Sequence, residues 1–449
     1  MLLIPAAITS CDTEEPNLPD SSNTDSNNPN PGQDPDNNNP NPNPGQDPDN
    51  NQTNDSITIN PDGSNSLGVP FRRISDTEFM LNYLTYSIVN GHLNLIKADK
   101  TEIKYSLNGK VDIFASVTID NSAYKVRTIT AATFRQCEEL ISVTIPNSVT
   151  EIDPSSFEDC VNLTSIIIPN SITHIKENTF LNCSSLISVD IPNSVSSIKW
   201  RAFSGCNSLQ TVNIPNSVSS ISSHAFENCS SLISIDIPNS VSSIGRYAFS
   251  GCTSLQTVNI PNSVSSIEEY TFENCSSLQN VDIPNSVSYI GASAFSGCTS
   301  LQTVNIPNSV SSIGANAFRG CTGLQTVNIP NSVSSIKEYT FENCSSLQTV
   351  DIPNSVSSIG ANAFRGCTGL QTVNIPNSVS YIGSYAFYSC SNLDTVICYC
   401  PTPPTLKECV FSNISGNCKL FVPRNSLRWG LYAGWRSYFK SITAIEDMQ

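Results

Sequence analysis

The sequence predicts an α/β repeat solenoid: a right-handed coil of 23-residue turns with a parallel sheet on its concave face and a cap at each end. Three observations predict it. Ile-Pro-Asn recurs eleven times from Ile145 to Ile375, always 23 residues after the previous copy. Phenylalanine keeps the same step from Phe134 to Phe387, cysteine from Cys137 to Cys390 and leucine from Leu140 to Leu393. Within each unit, branched residues alternate, as in Leu255, Val258 and Ile260, which suits a short strand with one buried face. One such unit buries nothing alone; copies stacked in register share continuous apolar columns.

The first segment, residues 1–10, reads as a signal peptide, apolar and ending in small residues. Ile8-Thr9-Ser10-Cys11 is similar to the lipobox of bacterial lipoproteins, which implies cleavage before Cys11 and acylation of its thiol. The segment is short and has no Lys or Arg ahead of it, so a start further upstream is expected. Residues 11–56 form an Asn/Pro/Asp-rich tether. It holds ten acidic residues and no basic ones, and PNPGQDPDNN occurs at Pro29 and again at Pro42. Too few apolar side chains are present to offset the entropy of ordering it. Proline stiffens such a chain and like charges extend it.

Residues 57–130 are expected to form an N-terminal cap of β-hairpins. Asn90-Gly91 lies between alternating apolar residues, a strong hairpin signal, and VTIDNSAYKV offers a second. The repeats occupy 131–397. In each, proline ends the strand because it cannot donate to a ladder, and the chain turns through Asn262 and Ser263 in the unit that follows Ile260. Val264 and Ile267 point back inward, and Ala/Thr-Phe-x-x-Cys has the spacing of one helical turn that drops Phe272 and Cys275 into the core. Residues 398–449 are the C-terminal cap, in which Trp429, Tyr432, Trp435 and Phe439 could plug the last turn.

The residues carry a resemblance to leucine-rich repeats, and specifically to the BspA-like class, whose units read IPNSVTSIGxxAFxxCxxLxxV. The likeness runs from about Tyr86 to Ile445. Where leucine-rich repeats usually place asparagine after the strand, Ser148 and its equivalents stand here, a departure common to this class. The resemblance implies a bacterial surface or secreted protein, and an adhesin for host matrix proteins or cells.

Seventeen cysteines would suggest a disulfide framework, but twelve keep the 23-residue step. Side chains one turn apart point the same way, whereas a bridge needs Cβ atoms turned toward each other. They are expected as small buried hydrophobes. Cys398, Cys400, Cys409 and Cys418 fall outside the period and leave a disulfide open; their spacing is not a familiar zinc pattern.

The net charge is −16, which opposes nucleic acid and anionic lipid. Ten of the 38 acidic residues lie in the tether, leaving 28 against 22 basic. No run of 18 apolar residues exists, so contact with a membrane is expected only through the lipid on Cys11. His92, His174 and His224 are the only histidines, and none has a recruited nucleophile beside it in sequence. No catalytic residue, cofactor or metal site is expected.

What remains is surface. On the strand face, Thr211, Thr257, Thr303 and Thr326 fall in one column; Asn213, Asp236, Asn259, Asp282, Asn305 and Asn328 fall in another. The Asp/Asn alternation follows a 46-residue double repeat. Such a face suits extended contact with a protein or glycan better than a closed pocket. An alternative edge carries Trp200, Tyr247, Tyr270, Tyr339 and Tyr385, residue types that anchor protein contacts. The expected function is non-catalytic binding at the outer membrane or cell surface. A spacer without a specific ligand and a glycan-capturing accessory are the alternatives.

Overall fold

The computed structural model describes residues 56–431 and 434–448. The expected leader, Cys11 and all but the last residue of the tether lie outside them. So do Tyr432 and the side chain of Trp429.

Each turn contributes a three-residue strand such as Thr257–Asn259, and the strands of successive turns pair in parallel. The register is strict: Thr257 lies beside Ser234 and Asn280, Val258 beside Ile235 and Val281. A period-two strand can hold its apolar residue inward only in this register. The ladder runs as five strands from Lys110–Asp112 to Thr211–Asn213, then ten from Ser234–Asp236 to Ser441–Ala444. Its first rung therefore lies inside the 57–130 segment and its last two inside 398–449. Each end segment thus adds strands to the ladder of its neighbouring turns, which extends pairing past the first and last repeats.

A second parallel ladder, not foreseen from the sequence, forms where Val-x-x-Ile crosses the turn. Its rungs are two residues long, such as Ser266–Ile267 beside Tyr289–Ile290. The Phe-x-x-Cys segment is not the expected helical turn. Its amides alternate between the next copy and their own turn: Phe157 N–H donates to Thr179 O at 3.0 Å and Phe226 N–H to Ala248 O at 2.8 Å, whereas Cys160 N–H closes on Phe157 O at 3.2 Å. Stacking supplies acceptors for alternate amides, and local turn bonds such as Cys275 N–H to Phe272 O at 3.2 Å serve those between. The described α-helix, Lys100–Tyr105, belongs to the N-terminal end and is capped by Asp99, whose side chain accepts from the amides of Thr101 and Glu102.

The N-terminal end contains the hairpins Leu84–Val89 with His92–Ala98, and Ser116–Ile119 with Ser122–Ile129. Both turns use left-handed backbone, at Asn90 and Gly91 and at Asp120 and Asn121, as two-residue hairpin turns require. The strand Ser122–Ile129 also pairs in parallel with Glu151–Ile152, at the place in the first turn that the second ladder takes in later ones.

The core is a set of columns. Twelve phenylalanines from Phe134 to Phe387 are fully buried. Their rings stack at 5.1–5.6 Å with planes within 13° of each other. Phe411 adds one more ring at 5.1 Å, and Trp435 and Phe439 lie against it at 5.7 and 5.2 Å. Beside the rings runs a column of thiols. From Cys160 to Cys390, each Sγ–H donates to the carbonyl of the phenylalanine 26 residues earlier, at 3.1–3.2 Å. These cysteines are buried and unbridged. They do more than fill space, because each adds a second hydrogen bond to a backbone carbonyl of the preceding turn that already accepts an amide, as Phe249 O does from Cys252 N–H.

The serine that replaces asparagine after Ile-Pro-Asn works in the same way in several turns, although the hydroxyls of Ser148, Ser240 and Ser309 are buried without a hydrogen-bond partner. Ser194 Oγ–H donates to Ile172 O at 2.6 Å, and Ser217, Ser286 and Ser378 donate to the equivalent valine carbonyls at 2.6–2.7 Å. At the C-terminal end, Cys398, Cys400 and Cys418 are buried thiols. Cys400 Sγ–H donates to Pro376 O at 3.1 Å. Its hydrogen bond to Cys398, together with burial, pushes the Cys398 thiol well above its ordinary range.

Candidate binding surfaces

The strand face is built by alternation. In Thr-Val-Asn, valine is buried while threonine and asparagine point outward, as in Thr211–Asn213, Thr257–Asn259, Thr303–Asn305 and Thr326–Asn328. Asp236 and Asp282 are exposed in the same way. Pairing in register brings these side chains into two columns, with neighbours one strand spacing apart, about 4.8 Å. Within the second column Asn259 Nδ2 donates to Asp236 Oδ1 at 3.2 Å. Two shallow recesses lie on this face. One, of about 660 Å³, is lined by residues of Thr303–Asn305 through Asn374; the other, of about 440 Å³, by Asn213, Asp236, Asn259 and the Ile-Pro-Asn residues beside them.

The face is less uniform than its repeats suggest. Ile141, Ile167, Ile187 and Ile233 are exposed, Ile167 to 68%. Ile167 occupies the column held elsewhere by Asp190 and Asn213. Sequence reasoning missed it because Ile166, Ile167 and Ile168 read as one apolar run, although the 23-residue step places the middle one outward. The strand face thus mixes exposed isoleucines with Ser and Thr hydroxyls in its first turns and is rich in amides and hydroxyls later.

The alternative edge has an unusual backbone. Arg201, His224, Tyr247, Tyr270, Tyr339 and Tyr385 all sit at φ between 53° and 61°, as do Asn178, Asn316 and Asn362 at the same place in other turns. Asparagine enters this left-handed region cheaply; bulkier residues do so at roughly 1–2 kcal/mol. The structure gathers part of this row into a stack. His224 lies on Tyr247 at 4.7 Å, Tyr247 on Tyr270 at 4.4 Å, and the edge of Trp200 meets His224 at 6.4 Å. The Arg201 guanidinium covers Trp200 at 4.6 Å. Tyr339 and Tyr385 are not part of it: Ser293 and Asn316 separate Tyr270 from Tyr339, and Tyr385 instead meets Tyr388 edge-on at 5.5 Å. His224, which its sequence neighbours left without a role, completes the stack and has Nδ1 3.0 Å from Glu227 Oε2.

Ion pairs tie the same edge together across turns. Arg246 meets Glu269 at 2.6 Å. Arg319 and Arg365 flank the buried carboxylate of Glu342 at 2.6 and 3.5 Å. Burial, and then the nearby Glu227 charge, raise the Glu273 carboxyl above its ordinary range. Among the described residues no group of three His, Cys, Asp or Glu side chains is arranged to hold a metal ion, and no helix is long and apolar enough to cross a membrane.

The family model for the BspA type leucine rich repeat region matches residues 104–233, 219–348, 293–417 and 334–445. Among solved structures, a leucine-rich repeat protein from Bacteroides ovatus is 28% identical, with a TM-score of 0.64 over 82% of this chain and 99% of that one. The pneumococcal vaccine antigen PcpA has a TM-score of 0.54 at 17% identity, over 82% of this chain and 98% of its own; it shares the fold. A leucine rich cell surface protein from Faecalibacterium prausnitzii is 27% identical over 72% of this chain and 95% of that one, with a TM-score of 0.47. No curated protein matches. By its 23-residue period, its paired ladders and buried columns, and a family model that spans 104–445, the chain belongs to the BspA-type leucine-rich-repeat family.

Proposed function

We propose that this protein is a non-catalytic binding protein or adhesin, held outside the cell by a lipid on Cys11 and contacting host matrix proteins, cells or other surface macromolecules through its strand face. The observation that carries this reading is the strict register, which lays exposed Thr, Asn and Asp side chains in unbroken columns over many turns. Many weak contacts at one regular spacing add to a useful affinity when the partner is itself extended. The lipobox-like Ile8–Cys11 and the acidic tether support a surface location.

The experiment is direct. Residues 57–449 are immobilised and exposed to fibronectin, laminin, collagen and intact epithelial cells. Binding that falls when Asn259, Asn305 and Asn328 are replaced together by Lys supports the strand face. Equal binding by that variant rejects the face, and absence of binding to every target favours a spacer without a ligand. Cys11→Ala is expected to move the full chain from the membrane fraction to the soluble fraction; unchanged fractionation removes the lipid anchor.

The stacked edge supports a second surface. Stacking at 4.4 Å and the left-handed backbone hold Tyr247 and Tyr270 rigid, and rigid aromatic side chains lose little entropy on binding. Loss of cell binding in Tyr247→Ala, with the Lys variant still active, would move the site there.

A further inference from the structure

The last regular turn of the strand face ends differently from the others. Each earlier unit continues from its strand into Ile-Pro-Asn, but after Thr395–Cys398 the chain reads Tyr399-Cys400. Register pairs Cys398 with Ile375, so Tyr399 takes the place of the proline and stands beside Pro376. Its amide donates to Ile375 O at 2.9 Å, which fixes the backbone, while its side chain leaves the residue 46% exposed. The ring forms one wall of a recess of about 360 Å³ whose other walls are Ile352, Pro376 and the carboxamides of Asn354, Asn374 and Asn377. Asn374 also lines the larger recess of the strand face, so the two adjoin at this residue.

Three features define what would fit. The lining amides both donate and accept, and the adjoining Thr326, Thr349 and Thr372 hydroxyls do the same. Asn374 Oδ1 is shielded and accepts no hydrogen bond; turning the amide into the recess would offer it to an incoming donor, and unsatisfied buried acceptors are costly. No Lys or Arg lines either recess. Outward positions along the strand face from Ser142 to Thr395 hold Asp190, Asp236, Asp282 and Asp351 but no basic residue, so an anionic chain is repelled. A proline-rich peptide would want a groove walled by several aromatic rings, and this recess has one.

We propose that the C-terminal end of the strand face is a saccharide site, in which Tyr399 stacks on the apolar face of a sugar ring and Asn354, Asn374 and Asn377 bond its hydroxyls, with a neutral polysaccharide continuing along the Thr and Asn columns. This deepens the strand-face reading by naming a ligand class. The test is affinity electrophoresis of residues 57–449 in gels containing xyloglucan, mixed-linkage β-glucan, galactomannan or α-mannan, with polygalacturonate as the anionic comparator. At least one neutral polymer is expected to retard the protein and polygalacturonate is not. Tyr399→Ala is expected to weaken retardation about tenfold, Tyr399→Phe to preserve it and Asn377→Ala to weaken it. Because Tyr399 is half exposed, thermal melts of these variants should match the parent, separating lost binding from lost fold.

No retardation by any neutral polymer, retardation unaffected by Tyr399→Ala, equal retardation by polygalacturonate, or competition by a decaproline peptide would each overturn the proposal. Cell or matrix binding without saccharide retardation leaves the surface-binding reading intact. Saccharide retardation without cell binding removes only the adhesin.

Discussion

At Gly251 the backbone adopts φ +73°, and a Cβ placed there would lie 2.2 Å from Asn228 Oδ1 of the preceding turn. The same column holds Asn182, Gly205, Asn228, Gly251, Asn274 and Gly297, all left-handed. Asparagine and glycine are the residues that reach this conformation most easily, and the asparagine side chain uses the room that glycine leaves. This interlock gives the 46-residue double repeat a physical reason. Gly251→Val is expected to lower stability by about 1–2 kcal/mol, the left-handed penalty for a branched residue, whereas Gly251→Asn should lose less, because asparagine enters the left-handed region more cheaply. Urea unfolding of both variants checks the order, and equal losses would remove the explanation. The thiols make a second prediction at this scale. Burial pushes Cys252, Cys321 and Cys390 up to about 12, while an unfolded thiol titrates near 8.5. The native state therefore keeps its protons longer. The stabilisation is complete below the unfolded value and is lost as pH rises through the native one, by about 1.4 kcal/mol per thiol per unit. Circular dichroism is expected to show alkaline unfolding above about pH 9, and Cys252→Val should shift the midpoint upward; an unmoved midpoint would contradict the assignment.

At the scale of one turn, most of the fold was legible and two parts were not. Leu255, Val258 and Ile260 gave the strand, and the proline after them gave its end. The period of Phe272 and Cys275 placed both in the core, but the helical spacing of the same residues suggested a helical turn that does not form. Local periodicity cannot tell a helix from a turn whose alternate amides go to a neighbouring copy 22 residues away. The Ser266–Ile267 rung was hidden for a related reason, since two residues are too short for an alternation to register. The candidate surfaces divided similarly. The Thr and Asn columns follow from register alone, but the His224–Tyr247–Tyr270 stack depends on side-chain directions set by left-handed residues, and Tyr399 depends on how the last turn departs from the repeat. Because each turn touches only its neighbours, damage should stay local. Phe272→Ala removes one ring from a closed column and is expected to lose about 3–5 kcal/mol. Hydrogen exchange should accelerate in residues 249–297 well before distant turns; uniform acceleration would show a single cooperative core instead.

For the whole molecule, register is the organising constraint, and it can be tested by subtraction. Deleting Gly251–Ser296 removes two turns, joins Ser250 to Gly297 and keeps the Asn–Gly order. The shortened chain is expected to fold with an unchanged spectrum per residue, whereas deleting only Gly251–Asn262 shifts every later column off its neighbour and should yield aggregates. Equal behaviour of the two would mean that the period does not govern the fold. The direction of the twelve buried sulfurs has a wider consequence. A secreted chain rich in cysteine ordinarily meets a combinatorial problem, since eight of them can already be joined in 105 ways. Here each sulfur in the column from Cys160 onward faces a peptide oxygen of the coil beneath it, so winding the chain conceals them one after another and no oxidase or isomerase has to sort them.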